Sequence, residues 1–414
     1  MRFNRNRRYT YYNSYSGSRR KKIRWDRIGI IGGAVVVVIG ALVWFNLSRI
    51  QLMIKGYSFS QQNDILSLES DDVKEVLSHD KLARISYWIE ASDKVKYYDE
   101  YEQYATLHED EKVKAIVTTV NDVFDNYAPK LASLGYDDSQ IWAVLKTATV
   151  DDLKYLIEKQ YTYTQIEPYM KVSGCVFTDM EKYIKVYEQK KNYNYAVLIT
   201  TYPFIVASNE PTKTYTIQNP NDVLTLVKKG FMLASSYEPK DLVTPEMPIA
   251  PDCDNATMRK EAADALVEMY KAAKAENLSL VINSAYRSYQ KQVETYQSFE
   301  KKWGGIYAKE HVAVPGCSEH QTGLGVDLTS ESVVNKQRLV FGDTEEYKWA
   351  IKNAHRFGYI LRFSEGTAKT TGIVHEPWHF RYVGKEAAAK IYENNWTLED
   401  YCLNEGVIPQ IKEN

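Results

Sequence analysis

The sequence predicts an α+β domain with a small antiparallel sheet, preceded by a mainly helical, repeat-like domain and a single transmembrane helix. Three observations support this prediction. Residues 28–47 contain no charged side chain, and residues 51–200 show helical periodicity with an internal echo. Beyond residue 205, helical and extended patterns mix without a regular βαβ order. The 414 residues are enough for two or three such domains.

The apolar segment 28–47 is IGIIGGAVVVVIGALVWFNL, in which Asn46 is the one strongly polar residue. Twenty helical residues span about 30 Å, the thickness of a bilayer core. Residues 1–27 contain ten Lys or Arg and one acid, so we expect them to form a basic cytoplasmic tail. We therefore predict a single-pass protein of the cell membrane, with the rest of the chain outside the cytoplasm. A cleaved signal peptide is the alternative, but no A-x-A site follows.

Charge separates the two ends of the chain. Residues 51–414 carry 41 basic and 53 acidic residues, against the strongly basic tail. The charge of the tail favours anionic lipid, and its place beside a membrane argues against nucleic acid as a partner. We therefore predict contact with the membrane and none with nucleic acid.

The four cysteines give little information. They form no C-x-x-C pair, which argues against a cysteine zinc cluster. A location outside the cytoplasm allows disulfides. The sequence does not determine which of them pair. They are Cys175, Cys253, Cys317 and Cys402.

Residues 48–210 are predicted to form an extracytoplasmic domain of short, stacked helix–turn units. The stretch 56–77 resembles 135–157, with Gly-Tyr at the start of each and two adjacent Asp residues further on. Repeats of this kind are typical of stacked helical arrays. An irregular helical bundle with chance similarity is the alternative. No residue pattern in this segment indicates catalysis.

The C-terminal domain is predicted to span 211–414, after a linker rich in Pro and Asn. We expect strands at 278–287 and 325–329, and a helix at 288–303. A further helix at 345–358 should end at its final glycine.

The stretch GIVHEPWHFRYVG, at 372–384, contains the pattern H-E-x-x-H, which typically places two zinc-binding histidines on one helix. Such a site requires His375 and His379 to share a helix face. Pro377 lacks a backbone donor and disfavours helix at the residue before it. Aromatic residues then alternate with other residues at a period of two. The stretch therefore predicts a strand, on which only one of the two histidines binds metal.

A second stretch, PGCSEHQTGLGVDLT at 315–329, offers better partners. It contains His320 and Asp327, and imidazole and carboxylate are both zinc ligands. With His379 they form a three-ligand site whose fourth position stays open for water. Glu376, three residues before His379, is then a natural base for that water. The sequence thus predicts Zn²⁺ as the cofactor.

A helical zinc endopeptidase remains the alternative use of H-E-x-x-H. Glu399 lies twenty residues after His379 on a predicted helix. It would be the third ligand of such a site, beside His375 and His379.

Five stretches resemble, in the same order, the zinc D-alanyl-D-alanine carboxypeptidases related to the vancomycin-resistance enzymes. They are NPNDVLTLVKKG, YEPKDLV, SAYRSYQKQ, PGCSEHQTGLGVDL and EPWHFRYVG, and they cover about 215–405. This family shares a fold with lysostaphin-type endopeptidases and the hedgehog signalling domain. The resemblance implies that His320, Asp327 and His379 bind zinc and that Glu376 is the catalytic base.

The resemblance also implies substrate-binding residues. Arg287 is expected to bind the substrate, and Gln292 and Ser318 resemble residues that make secondary substrate contacts in the family. A carboxypeptidase must recognise a terminal carboxylate, which a guanidinium group binds with two parallel hydrogen bonds.

These inferences predict a membrane-anchored zinc metallocarboxypeptidase that removes the C-terminal D-alanine from peptidoglycan stem peptides. D,D- and L,D-cleavage are both compatible with the sequence. A non-catalytic cell-wall binding or scaffold protein is the alternative from another class. In either case the helical domain could hold a protein or wall partner.

Overall fold

The computed structural model describes residues 36, 46–206 and 211–414. The predicted fold class is wrong in one respect, because it included a transmembrane helix. Within these described ranges, no helix has both the length and the apolar character needed to cross a membrane. The tail 1–27 and most of the predicted span 28–47 lie outside the described residues.

The chain forms two compact units, of which the first ends at Pro129 and the second is Lys130–Asn414. The predicted domain boundary near residue 210 stays a prediction.

The described part of the first unit is made of helices and turns. The helices are α1 (Leu47–Ile54), α2 (Phe59–Leu66), α3 (Ser70–Ser78), α4 (Ile85–Ala91), α5 (Tyr98–Leu107) and α6 (Val113–Asp122). A π-helical turn at Val123–Tyr127 leads into α7 (Ala128–Ser133).

The second unit begins with further short helices. They are α8 (Asp138–Leu145), α9 (Val150–Glu158), α10 (Tyr163–Met170), α11 (Met180–Lys190) and α12 (Tyr193–Thr201).

The sequence echo corresponds to repeated local structure. The Tyr57 hydroxyl accepts a hydrogen bond from Leu82 N (3.0 Å), and the Tyr136 hydroxyl donates one to Tyr161 O (2.8 Å), in both cases 25 residues ahead. The helix after each tyrosine, α2 or α8, begins with a capping box.

Helices and short strands alternate irregularly after residue 211. The strands are β1 (Tyr215–Ile217), β2 (Phe231–Met232), β3 (Leu242–Val243), β4 (Met258–Arg259), β5 (Leu280–Ser284), β6 (Gly325–Ser330), β7 (Tyr359–Leu361), β8 (His379–Tyr382) and β9 (Ile411–Glu413). The helices are α13 (Lys260–Ala275), α14 (Tyr289–Trp303), α15 (Gly305–His311), α16 (Glu331–Val334), α17 (Glu345–Asn353), α18 (Ala368–Thr371), α19 (Lys385–Asn394) and α20 (Leu398–Glu405).

A four-stranded sheet in the order β5-β6-β8-β7 forms the centre of this region, and all its pairs are antiparallel. The prediction of an α+β domain with a small antiparallel sheet is therefore confirmed. Two smaller sheets have the orders β3-β4 and β2-β1-β9. Helix α13 buries apolar residues at helical spacing, among them Leu266 and Met269, in one core with the sheet residues Ile282, Val326 and Phe380.

The register of the central sheet decides which polar side chains meet. Asp327 on β6 lies opposite His379 on β8, and on its other side it lies opposite Ser284 on β5. The register shifts between Ile282 and Ser284, which marks a β-bulge. Bulges re-aim side chains and are frequent beside active sites.

The turn that joins His320 to strand β6 depends on Gly323. Its φ is +67°, a left-handed backbone that favours glycine. A Cβ added there would lie 2.9 Å from Leu242 Cδ2 and 3.1 Å from Arg259 Cγ. The Gly323 carbonyl also accepts a hydrogen bond from Arg259 N at 2.9 Å. The turn is therefore held against β3 and β4.

We expect Gly323→Ala to lower the free energy of unfolding by about 2–4 kcal/mol, because it combines left-handed strain with a clash. Gly366→Ala is the matched control. Its φ is +81°, but apart from the adjacent residues no atom of the described chain lies within 4 Å of the added Cβ, so only the strain of about 1–2 kcal/mol applies. Urea unfolding measures both variants. Equal losses in the two would contradict the account.

Candidate metal centre

The three predicted ligands come together in the structure. His320, Asp327 and His379 are all buried, and their ligand atoms lie within 4.8 Å of one another. His320 Nε2 lies 3.4 Å from Asp327 Oδ2, and His379 Nδ1 lies 2.9 Å from Asp327 Oδ1. The ring centroids of the two histidines are 4.9 Å apart. Two imidazoles and one carboxylate are a donor set found in catalytic zinc sites, which leave one position open.

The environment of His320 prepares it as a ligand. Its Nδ1 lies 2.6 Å from the Ala285 carbonyl oxygen, an acceptor that places the ring hydrogen on Nδ1. Nε2 is then free to bind a cation beside Asp327. Burial lowers the pKa of His320, which favours the neutral ring that metal binding requires.

His379 lies between two carboxylates. Its Nδ1 faces Asp327, and its Nε2 lies 3.5 Å from Glu319 Oε2. Burial opposes a charged ring, but these two carboxylates outweigh it and raise the pKa of His379 to about 9. Burial likewise opposes ionisation of Asp327, but His320 and His379 hold its pKa well below the usual range. The cluster thus holds a proton where a metal cation fits.

Glu376 lies in the loop 372–378, between α18 and β8. Its amide N donates to Phe363 O at 3.0 Å, and its carbonyl accepts from His379 N at 3.3 Å. The side chain is half-buried in the wall of a cavity, and burial raises its pKa to about 7. A carboxyl with such a pKa can accept and return a proton near neutral pH.

The alternative in which H-E-x-x-H forms a zinc site on one helix is wrong for this chain. Residues 372–378, all of which the structure describes, are not helical, and β8 begins at His379. His375 is exposed, and its Nδ1 lies 2.8 Å from Phe363 O, outside the ligand group. Glu399, the third ligand of that alternative, is buried in ion pairs with Arg362 and Lys228.

A cavity of about 940 Å³ reaches the three ligands, and the predicted substrate-binding residues line it. Arg287 Nη1 donates to Gln292 Oε1 at 3.0 Å, and its Nη2 donates to Ser284 Oγ at 3.3 Å. Gln292 in turn donates to Ala313 O at 2.6 Å. Gln292 therefore holds the guanidinium of Arg287 in place. Ser318 is buried beside the ligands, at the start of the turn that carries His320.

Sequence reasoning missed a group of charges behind the ligands, which we call the buried charge cluster. Its five residues are each at most 7% exposed. They are Lys228, Glu319, Arg362, Arg381 and Glu399. One signal was available, because a period of two puts Arg381 on the same face of β8 as His379.

The four cysteines, all within the described residues, are free thiols. Cys317 lies in the wall of the cavity, where burial raises the pKa of its thiol to about 12. A thiol of this kind is inert at neutral pH. Although Cys317 lies near the metal ligands, its thiol is therefore not a nucleophile.

Comparison with known proteins agrees with this site. The family model VanY, described as D-alanyl-D-alanine carboxypeptidase, matches residues 255–385. The putative carboxypeptidase YodJ of Bacillus subtilis (strain 168) is 44% identical over 188 residues, which cover 45% of this chain and 69% of the relative. The bifunctional D-Ala-D-Ala dipeptidase and D-Ala-D-Ala carboxypeptidase VanXYC of Enterococcus gallinarum is 32% identical over 183 residues, covering 44% and 93%.

A solved structure is also similar. It is a mutant of the vancomycin-resistance D,D-pentapeptidase VanY from a VanB-type resistance cassette, in complex with Zn(II). It is 31% identical, with a TM-score of 0.38, and the match covers 43% of this chain and 98% of that one. The range matched by the family model includes all three candidate ligands and Glu376. The chain covers 69% and 93% of the two sequence relatives at 44% and 32% identity, and it therefore belongs to the VanY family of D-alanyl-D-alanine carboxypeptidases.

Proposed function

We propose that this protein is a zinc-dependent carboxypeptidase that removes the C-terminal D-alanine from peptidoglycan stem peptides. One observation carries the proposal. His320, Asp327 and His379 meet at a cavity whose wall also contains Glu376 and Arg287. The cavity thus combines ligands for a metal, a proton acceptor and a group that recognises a carboxylate.

The three ligands fit Zn²⁺, because two imidazole nitrogens and one carboxylate oxygen are donors that it prefers. They are buried, and Asp327 supplies the negative charge that a divalent cation requires. When bound, the ion supplies Lewis-acid chemistry, which polarises a carbonyl and lowers the pKa of water towards about 7.

Arg287 recognises the end of the peptide. Its guanidinium is held by Gln292 and Ser284 at the cavity wall, and a fixed guanidinium can bind a terminal carboxylate through two N–H groups. Because the side chain is already oriented, less conformational entropy is lost on binding. The scissile peptide bond, one residue from that carboxylate, is then placed between Arg287 and the metal ligands.

Glu376 moves the protons of the reaction. It takes a proton from the water that attacks the scissile carbonyl carbon, and it gives this proton to the amine nitrogen as the C–N bond breaks. D-alanine leaves with that amine, and the shortened peptide keeps the new carboxylate. A pure binding protein would not require such a base, so Glu376 favours the enzyme over the scaffold alternative.

A peptidoglycan substrate supports a site of action outside the cytoplasm. We therefore propose that residues 211–414 act outside the cytoplasm. A protein or cell-wall partner for residues 48–210 stays a prediction.

The experiment that tests the function is digestion of two stem peptides by the zinc-loaded full chain. One is a pentapeptide ending in D-Ala-D-Ala, and the other is a tetrapeptide ending in one D-Ala. Mass spectrometry should show loss of a single alanine from at least one peptide, and excess chelator should prevent it. The peptide that is shortened distinguishes D,D- from L,D-cleavage. If neither peptide is shortened, the proposed activity is wrong.

Glu376→Gln should lower kcat by about 10²–10⁴-fold, because it removes the base. Its zinc content should stay at the wild-type level, since Glu376 is not a ligand. Glu365→Gln is the matched control, because Glu365 is an exposed carboxyl in the same chain region. A Glu376→Gln enzyme as fast as the wild type would rule out this role.

His379→Ala and His375→Ala separate the strand site from the helical pattern. We expect His379→Ala to lose stoichiometric zinc and His375→Ala to keep it, because only His379 belongs to the ligand group. Elemental analysis after dialysis measures both. Loss of zinc from both variants would favour the helical alternative, in which both histidines bind the metal.

Arg287→Met should lower kcat/KM by roughly 10–100-fold, the value of one charged hydrogen-bonding interaction. A peptide with an amidated C-terminus lacks the carboxylate, so on this peptide the variant and the wild type should be equally slow. Arg356→Met, which alters an exposed arginine, is the control. A loss that is the same for acid and amide peptides would show that Arg287 does not bind the terminal carboxylate.

A further inference from the structure

The buried charge cluster lies behind the metal ligands and takes no part in the chemistry above. We propose that Glu319 is a positioning residue, which holds the His379 ring with its hydrogen on Nε2 so that Nδ1 is presented to the metal. This inference rests on the proposed function, because it concerns the same site.

The surroundings of the His379 ring support this role. His379 Nε2 lies 3.5 Å from Glu319 Oε2, and within the described chain neither atom has a hydrogen-bond partner. Two buried polar atoms that face each other can satisfy one another if the gap closes by a few tenths of an ångström. Hydrogen bonds in active sites are often long when the site is empty and become shorter when its ligands bind. Phe363 stacks on the ring, with centroids 5.0 Å apart, and restricts its rotation.

Glu319 is itself held in place by two arginines. Arg362 Nε donates to Glu319 Oε1 at 2.7 Å, and Arg381 Nη1 lies 3.1 Å from the same oxygen. Both guanidinium groups thus lie against Glu319 Oε1, and Oε2 is left to face His379. Glu319 faces hydrogen-bond donors on both sides, and a carboxylate is the side chain that can accept on both.

The rest of the cluster anchors this carboxylate. Arg362 also makes two hydrogen bonds to Glu399, at 2.9 and 2.7 Å, and Glu399 lies 3.1 Å from Lys228 Nζ. Lys228 donates further to the carbonyl oxygens of Ile205 and Thr370. Buried ion pairs contribute little net stability compared with apolar packing. Their place behind a metal ligand therefore indicates orientation as their role.

The test is Glu319→Gln, which keeps the volume but offers an acceptor on one side only. If the amide oxygen faces the arginines, its NH₂ group faces His379 Nε2. The ring must then accept there and carry its hydrogen on Nδ1, the atom that the metal requires. We expect the affinity for zinc to fall by about 10–100-fold. Competition with a chromophoric chelator, starting from metal-depleted protein, measures it.

Glu345→Gln is the matched control. It makes the same chemical change at a side chain that is 71% exposed and paired with Lys348, so its zinc affinity should equal that of the wild type. If Glu319→Gln is folded and binds zinc within twofold of the wild type, the cluster is merely structural and the proposal is wrong.

A measurement on the unaltered protein keeps the proposal testable if the variant does not fold. In ¹⁵N NMR spectra of the zinc-loaded wild type, the His379 ring signals, assigned through correlations to the backbone, should show a protonated Nε2 and a metal-bound Nδ1. A protonated Nδ1 with metal on Nε2 would overturn the proposal. Failure of the wild type to bind zinc at all would instead refute the proposed function.

Discussion

The pairing of Asp327 with His379 across strands β6 and β8 is the constraint on which the site depends. In this register the carboxylate and the imidazole face each other at 2.9 Å. A shift of one residue would turn one of the two side chains to the opposite face of the sheet. The bulge in β5 and the glycine turn at 323 then bring His320 to the same carboxylate. The ligands are thus fixed by backbone geometry before any metal binds.

Charge is the second constraint. Asp327 and Glu319 are buried carboxylates, and each is stabilised by a cationic neighbour or by a ring that can carry a proton. The arginines of the buried charge cluster balance Glu319, which leaves Asp327 with the two histidines. Arg287 and Glu376 stand apart at the cavity wall, where substrate can reach them.

The sequence could predict the ligands because each came with local evidence. Pro377 and the period of two after it predict that His379 lies on a strand, and His320 and Asp327 are zinc-ligand residue types within one short stretch. The Glu319–Arg362–Glu399 chain could not be predicted in this way, since its contacts join residues 43 and 37 positions apart. Such ion pairs depend on the tertiary fold. The sequence predicts the helix that carries Glu399, which suggests a metal ligand, but it does not predict the ion pairs of Glu399 with Arg362 and Lys228.

The most direct test of the central claim is crystallography of the zinc-loaded protein with data on both sides of the zinc absorption edge. The proposed site predicts one anomalous peak, about 2.0–2.3 Å from His320 Nε2, an Asp327 oxygen and His379 Nδ1. A peak bonded to His375 or Glu399 instead, with Asp327 uninvolved, would contradict it.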